Sequence, residues 1–196
     1  MLVGAYHFVT MSPSPEAQAD AFVGRVKATA RRMGLSRRKI LLVGDFDTHS
    51  SPDRLVRFIR RVEQKTGVTP VVYLENSAAL RNSLSNATPA QKAIIRRAPY
   101  WIALYGPKGT ERSMGRNDLT PDDLMNEYDI WDRWAMWQYG GVLWQNGRST
   151  AKHYDTPEWR SPEYYGNMAH PMERSVFRGN DASLVEFWKR HGLAWW

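Results

Sequence analysis

The chain has 196 residues, 42% hydrophobic and 24% charged, with a net charge of +7 and a pI near 9.8. That balance fits one folded domain over residues 1–196 and excludes a disordered tail, and no apolar run approaches the ~20 residues of a membrane span. With no cysteine, disulfides, thiolate metal sites and a cysteine nucleophile are excluded; the opening MLVGAYHFVTMSPS has no basic n-region or cleavage site, so no secretory signal is expected.

In chain order, LVGAYHFV (2–9) predicts a strand. Ser14 as N-cap and Pro15 at the first helical position open a helix to about Met33, with Ala19, Phe22, Val23, Val26 and Ala30 on its apolar stripe and Gly34 behind it. ILLVGDF (40–46) reads as a strand buried on both faces. Ser51-Pro52 starts a helix that closes at Gly67, with Leu55, Phe58, Ile59 and Val62 inside. VVYLEN (71–76) is a third strand, and Thr88-Pro89-Ala90-Gln91 is a capping box before Ile94 and Ile95. YWIALY (100–105) is a fourth strand, Thr120-Pro121 opens another helix, and WAMWQY (134–139) is a fifth strand. A last helix spans about 181–191, with Gly192 after it. Two stretches, 106–119 and 145–172, read as long loops, the second rich in aromatics. Strand–helix alternation within one domain predicts a parallel sheet with helical crossovers, doubly wound or closed as a barrel.

The early arginines and lysines (Arg25, Lys27, Arg31, Arg32, Arg37, Arg38, Lys39) and the stripe Arg54, Arg57, Arg61 read as solvated helix faces. They lack the stacking or base-reading groups of a specific nucleic-acid surface.

Parallel sheets place their chemistry at the carboxyl ends of strands. On the second strand Leu41, Val43, Asp45 and Asp47 share one side, so two acids point the same way at its end. Such carboxylates are costly unless used or paired. Asp45-Phe46-Asp47-Thr48 fits two schemes. As D-x-D-x-T it would serve a magnesium-dependent phosphatase, but that needs a second acidic pair after a later strand, and Asp122-Asp123 start a helix instead. As paired carboxyls it would serve a glycosidase, one group protonating the leaving oxygen and the other stabilising the oxocarbenium-like centre. Glu75, on the face of Tyr73, could reach the same mouth. A metal site of Asp45, Asp47 and His49 lacks further ligands, so no metal or cofactor is expected.

The motifs GAYHF (4–8), Ser14-x-x-x-Gln18-Ala19 with Phe22, the strand ending in D-x-acid, VVY ending at Tyr73, PYWIALYG (99–106), Trp137-Gln138-Tyr139 and Arg174-Ser175-Val176-Phe177-x-Gly179 before a helix form an ordered series. In that order they resemble the glycoside hydrolase family 25 lysozymes, from Gly4 to the last helix. The resemblance implies an α/β fold, a TIM-like (β/α) barrel, and metal-free hydrolysis of the β-1,4 bond between N-acetylmuramic acid and N-acetylglucosamine in peptidoglycan. It implies that Asp47 is the general acid, where the family has a Glu. Asp45 and Glu173 would orient the N-acetyl group and stabilise developing charge, Glu173 standing where the family has an Asp. Tyr6, His7, Tyr73, Trp101, Tyr105, Trp137 and Tyr139 would line the sugar groove.

An Asp acid is shorter than a Glu by one C–C bond, about 1.5 Å, and a misplacement of that order costs ~10²-fold in rate. The resemblance also implies a barrel truncated at its N-terminus, lacking about two of the usual eight strands, with open edges that favour self-association. A non-catalytic wall-binding remnant is the alternative from another functional class. Action on peptidoglycan without an export signal suits a phage endolysin released by a holin, or an exported enzyme whose start is missing. Basic helices would then aid adsorption to the anionic wall.

Overall fold

The computed structural model describes residues 2–35, 38–46, 51–75, 78–103, 122, 129–140, 143–145, 148–150 and 174–194. The elements run β1 (Val3–Phe8), α1 (Pro15–Arg32), β2 (Ile40–Asp45), α2 (Pro52–Thr66), β3 (Val71–Glu75), α3 (Ala78–Ser85), α4 (Pro89–Arg97), β4 (Tyr100–Ala103), β5 (Met136–Gly140), β6 (Leu143–Gln145), β7 (Arg148–Thr150), β8 (Arg174–Phe177), α5 (Asp181–His191) and β9 (Gly192–Leu193).

Three helices begin as their Ser/Thr-Pro pairs dictate. Ser14 Oγ accepts from the Ala17 N–H and Ser51 Oγ from the Arg54 N–H, each at 3.3 Å. Thr88 Oγ1 accepts from the Gln91 N–H at 3.2 Å, and Gln91 Oε1 accepts from the Thr88 N–H at 2.9 Å, completing the capping box. α2 stops at Gly67, whose φ of +72° suits a residue without a Cβ. The expected start at Thr120-Pro121 and the loop 106–119 fall outside the described residues, apart from Asp122.

β1 to β5 pair in chain order and all in parallel; β8 then adds antiparallel to β5. Strand order without reversal departs from the doubly wound alternative left open by the sequence. Right-handed crossovers that always step the same way put the crossover helices on one face, unlike the doubly wound arrangement. The sheet is mixed, however, because β8 runs against its neighbour, and within the described residues it forms a half-barrel. β1 pairs with β2 alone among the described strands.

Helices α1 to α4 cover one face. Phe22, Val26, Leu55, Phe58, Ile59 and Ile95 pack there against Leu42, Val72, Leu74, Tyr100 and Ile102. The opposite face, called inner below, carries a smaller cluster of Leu41, Val43, Val71 and Met136, onto which Phe187 and Trp188 of α5 pack. The chain then turns so that Gly192 and Leu193 pair antiparallel with Leu41 and Ile40. A Cβ on Gly192 would lie 2.6 Å from the Trp188 carbonyl oxygen and 2.8 Å from Lys39 Cβ, so this approach requires glycine.

Two expectations are corrected. Arg57 and Arg61 are engaged with α1 and not freely solvated, although both side chains stay partly exposed. They form forked ion pairs across to α1, Arg57 with Glu16 at 2.6 and 2.8 Å and Arg61 with Asp20 at 2.8 and 2.7 Å. The stretch expected as a loop from 145 contains the strand β7, paired with β6 as Gln145↔Arg148 to Leu143↔Thr150.

Candidate active site

The five parallel strands bring their carboxyl ends to one side of the sheet. Phe8, Asp45, Tyr73, Trp101, Met136 and Phe177 are register partners across six strands, so they form one row on the inner face. Below it run Tyr6, Val43 and Val71; above it run Glu75, Ala103, Gln138 and Ser175.

Asp45 is half-buried at the end of β2. Its backbone is fixed from both sides: its carbonyl accepts from the Val9 N–H at 2.7 Å, and the next N–H, of Phe46, donates to the Tyr73 carbonyl at 3.0 Å. Phe46 turns to the helix side, fully buried and edge-on to Phe58 with centroids 5.4 Å apart. The alternation Gly44-Asp45-Phe46 thereby holds the Asp45 position on the inner face.

Tyr73 stands next to it and Trp101 one strand further, their rings perpendicular with centroids 5.6 Å apart. The Tyr73 hydroxyl donates to Gln138 Oε1 at 2.6 Å, and Trp101 Nε1–H donates to Ser175 Oγ at 3.1 Å. These bonds lock two aromatic rings in place across β3, β4, β5 and β8. Tyr6, 73% exposed, offers its ring to solvent on the same face.

The structure therefore brings together Asp45, Tyr6, Tyr73 and Trp101. It does not bring His7 or Trp137 with them. His7 points to the helix side, stacked between Phe22 and Phe58 at 5.6 and 6.2 Å, and Nε2 pairs with Gln18 Oε1 at 3.2 Å. Strand period 2 forbids Tyr6 and His7 from sharing a face. Trp137 likewise packs into the helix-side core, 6.3 Å from Trp134. Asp47, Tyr105 and Glu173 lie outside the described residues, as does the side chain of Tyr139.

Gln138, only 3% exposed, is the inner-face residue that the sequence reading passed over. Its signal was present: a lone amide between two aromatics, in phase with Met136.

Behind this face, Gln18 fixes the chain that leaves β1. Its Nε2 donates to the carbonyls of Thr10 and Pro13 at 2.8 and 2.6 Å, and its Oε1 accepts from the Thr10 N–H at 2.9 Å. The Arg54 guanidinium also donates to the Thr10 and Met11 carbonyls. Among the described residues no group of three or more His, Asp or Glu comes together to hold a metal, and no helix is long and apolar enough to cross a membrane.

Solved structures share this architecture. A muramidase from Acremonium alcalophilum superposes with a TM-score of 0.52 at 17% identity, over 94% of this chain and 72% of that one. A family GH25 lysozyme from Aspergillus fumigatus gives 0.52 at 16% identity, over 95% and 72%. No curated protein matches the chain. At such identities the likeness speaks for the fold; the sequence model of glycosyl hydrolases family 25, however, matches residues 1–147 directly. The chain belongs to glycosyl hydrolases family 25.

Proposed function

We propose that this glycoside hydrolase is a lysozyme that cleaves the β-1,4 bond between N-acetylmuramic acid and N-acetylglucosamine in peptidoglycan, within a β/α barrel of which the described sheet is part. The observation that carries the reading is the inner-face row: a carboxyl group at a strand end with Tyr73 beside it, Trp101 one strand further along, and Tyr6 exposed one row below. Aromatic rings give a sugar ring flat apolar faces, and polar bonds at their edges keep them oriented. In this reading Asp47 protonates the glycosidic oxygen. Asp45 and Glu173 hold the N-acetyl group and stabilise the oxocarbenium-like charge. The protein would act at the cell wall.

Purified peptidoglycan provides the test, with released reducing ends as the readout. Wild-type chain should release muropeptides slowly, and Asp47→Asn and Asp45→Asn should each abolish release. Asp47→Glu, which restores the longer acid, should raise the rate by up to ~10²-fold. Wall binding without release by either wild type or Asp47→Glu would instead mark a non-catalytic binder. Magnesium-dependent hydrolysis of p-nitrophenyl phosphate, lost in Asp45→Asn, would overturn the glycosidase reading.

A further inference from the structure

Beneath the amino ends of β4 and β5, away from the proposed mouth, lies a cleft of about 680 Å³. Its walls are the last turn of α4, the segment 131–135 leading into β5, the end of β8 and one face of α5. Asp45 lies four strands from β8 along the sheet, about 19 Å at ~4.8 Å per strand.

Five arginines line this cleft, against the acids Asp132 and Glu186. Three of them are already engaged. Arg97 pairs with Glu63 at 2.8 Å; Arg178 pairs with Asp122 and lies 5.1 Å over the Trp134 ring; Arg96 donates to the carbonyls of Asp129 and Ile130. Glu186 is held by Lys189 at 2.6 Å. Arg133 and Arg190 are different: among the described residues neither makes a hydrogen bond or ion pair. Arg190 sits in the last turn of α5, where the helix dipole accounts for one cation. Arg133 is on no helix and has no such account. Both residues are exposed at the cleft, so their guanidinium groups are open to an anion from solvent, and Phe177 and Phe187 form the apolar side.

We propose that this cleft binds a phosphate or phosphodiester group held between Arg133 and Arg190. One guanidinium fork saturates the two oxygens of a carboxylate, whereas a tetrahedral phosphate offers oxygens to two forks from separate elements. Asp132 opposes the anion and tunes the affinity downward.

Isothermal titration of the whole chain with inorganic phosphate, and separately with a poly(glycerol phosphate) oligomer, tests this. Saturable binding is expected, weakened about tenfold by Arg133→Ala and by Arg190→Ala, unchanged by Arg25→Ala on the exposed side of α1, and strengthened by Asp132→Asn. Both probes should bind. Tighter binding of the oligomer assigns the site to a polymer phosphodiester, and equal or tighter binding of inorganic phosphate assigns it to a small anion. No saturable binding of either probe, or an unchanged affinity in the Arg133→Ala/Arg190→Ala double variant, overturns the proposal. Should the alanine variants fail to fold, Asp132→Asn decides alone, because unchanged or weaker binding refutes the site. Binding is read without hydrolysis, so the result is independent of the glycosidase reading.

Discussion

Gly44 stands one residue before Asp45, and its missing side chain is what lets the core close behind the site. A Cβ placed there would lie 2.8 Å from Phe46 Cε2 and 2.9 Å from Phe58 Cε1, each at least half an ångström inside ordinary contact at 3.4 Å. Neither ring has room to retreat. Both are fully buried, and Phe58 is stacked with Phe22 at 6.4 Å and with His7 at 6.2 Å. Gly44→Ala should therefore cost about 1–3 kcal/mol, the range for overpacking a filled core. At roughly 2–4 °C per kcal/mol for a chain of this size, the Tm should fall by about 2–12 °C. Thermal melts followed by circular dichroism would measure it, alone and in a Phe58→Leu background. The smaller side chain makes room for the methyl group, so Gly44→Ala should cost at least about 0.5 kcal/mol less there. An unchanged melting point, or strict additivity in the double variant, would refute the packing argument.

Gln18→Leu should destabilise by about 1–3 kcal/mol in urea unfolding, because it strips the Thr10 N–H and the Pro13 carbonyl of their side-chain partner. A loss below a few tenths would mean water replaces the amide freely. Thr88→Ala removes half of the α4 capping box and should cost about 1 kcal/mol in the same assay. The Arg57 hydrogen bond holds the Glu16 carboxyl at about 2, below its ordinary 4.5, and Arg61 lowers Asp20 likewise. The unfolded chain takes up these protons first, so their stabilisation is full above about pH 4.5 and is lost as pH falls toward 2. Both pairs are partly exposed, so the slope of Tm against pH in that window should be shallow, should shrink in high salt, and should flatten further in Arg57→Gln. A slope identical in wild type and Arg57→Gln would remove the ion pair from the account.

What could be read from the sequence was local. Ser14-Pro15, Ser51-Pro52 and Thr88-Pro89 mark helix starts because the cap bonds only residues two or three places away. The hidden part was relational. Alternation shows that Trp137 and Gln138 face opposite ways, but not which way is inward; that depends on α4 and Trp134 needing a large apolar partner and Tyr73 needing an acceptor. The partners of Arg57 and Arg61 lie 41 residues upstream, beyond any helical period. Among the described side chains of the short helix α3, Leu80 and Leu84 are the buried ones, too few for a periodic signal. The β6–β7 pairing did have one: Asn146-Gly147 is a strong hairpin dipeptide, and it lies between the paired Gln145 and Arg148. For the proposed site, the side of β2 that Asp45 takes was legible from strand phase, while His7 was drawn away by the aromatic pocket of two helices.

The tail of the chain returns to its beginning: Gly192 and Leu193 lie on β2, and the Trp188 indole donates to the Val3 carbonyl 185 residues away. The strand pairs from β1 to β4 each join successive βα units and can assemble one after another as the chain collapses. The tail contact closes a loop of almost the whole chain, which costs only about 2 kcal/mol more in chain entropy than closing 20 residues. Its burden is kinetic, since contacts of such long sequence separation form slowly. The C-terminal segment thus works as a clasp: it fastens the amino ends of β1 and β2 and leaves the carboxyl end, where Asp45 stands, to the pairing of successive βα units.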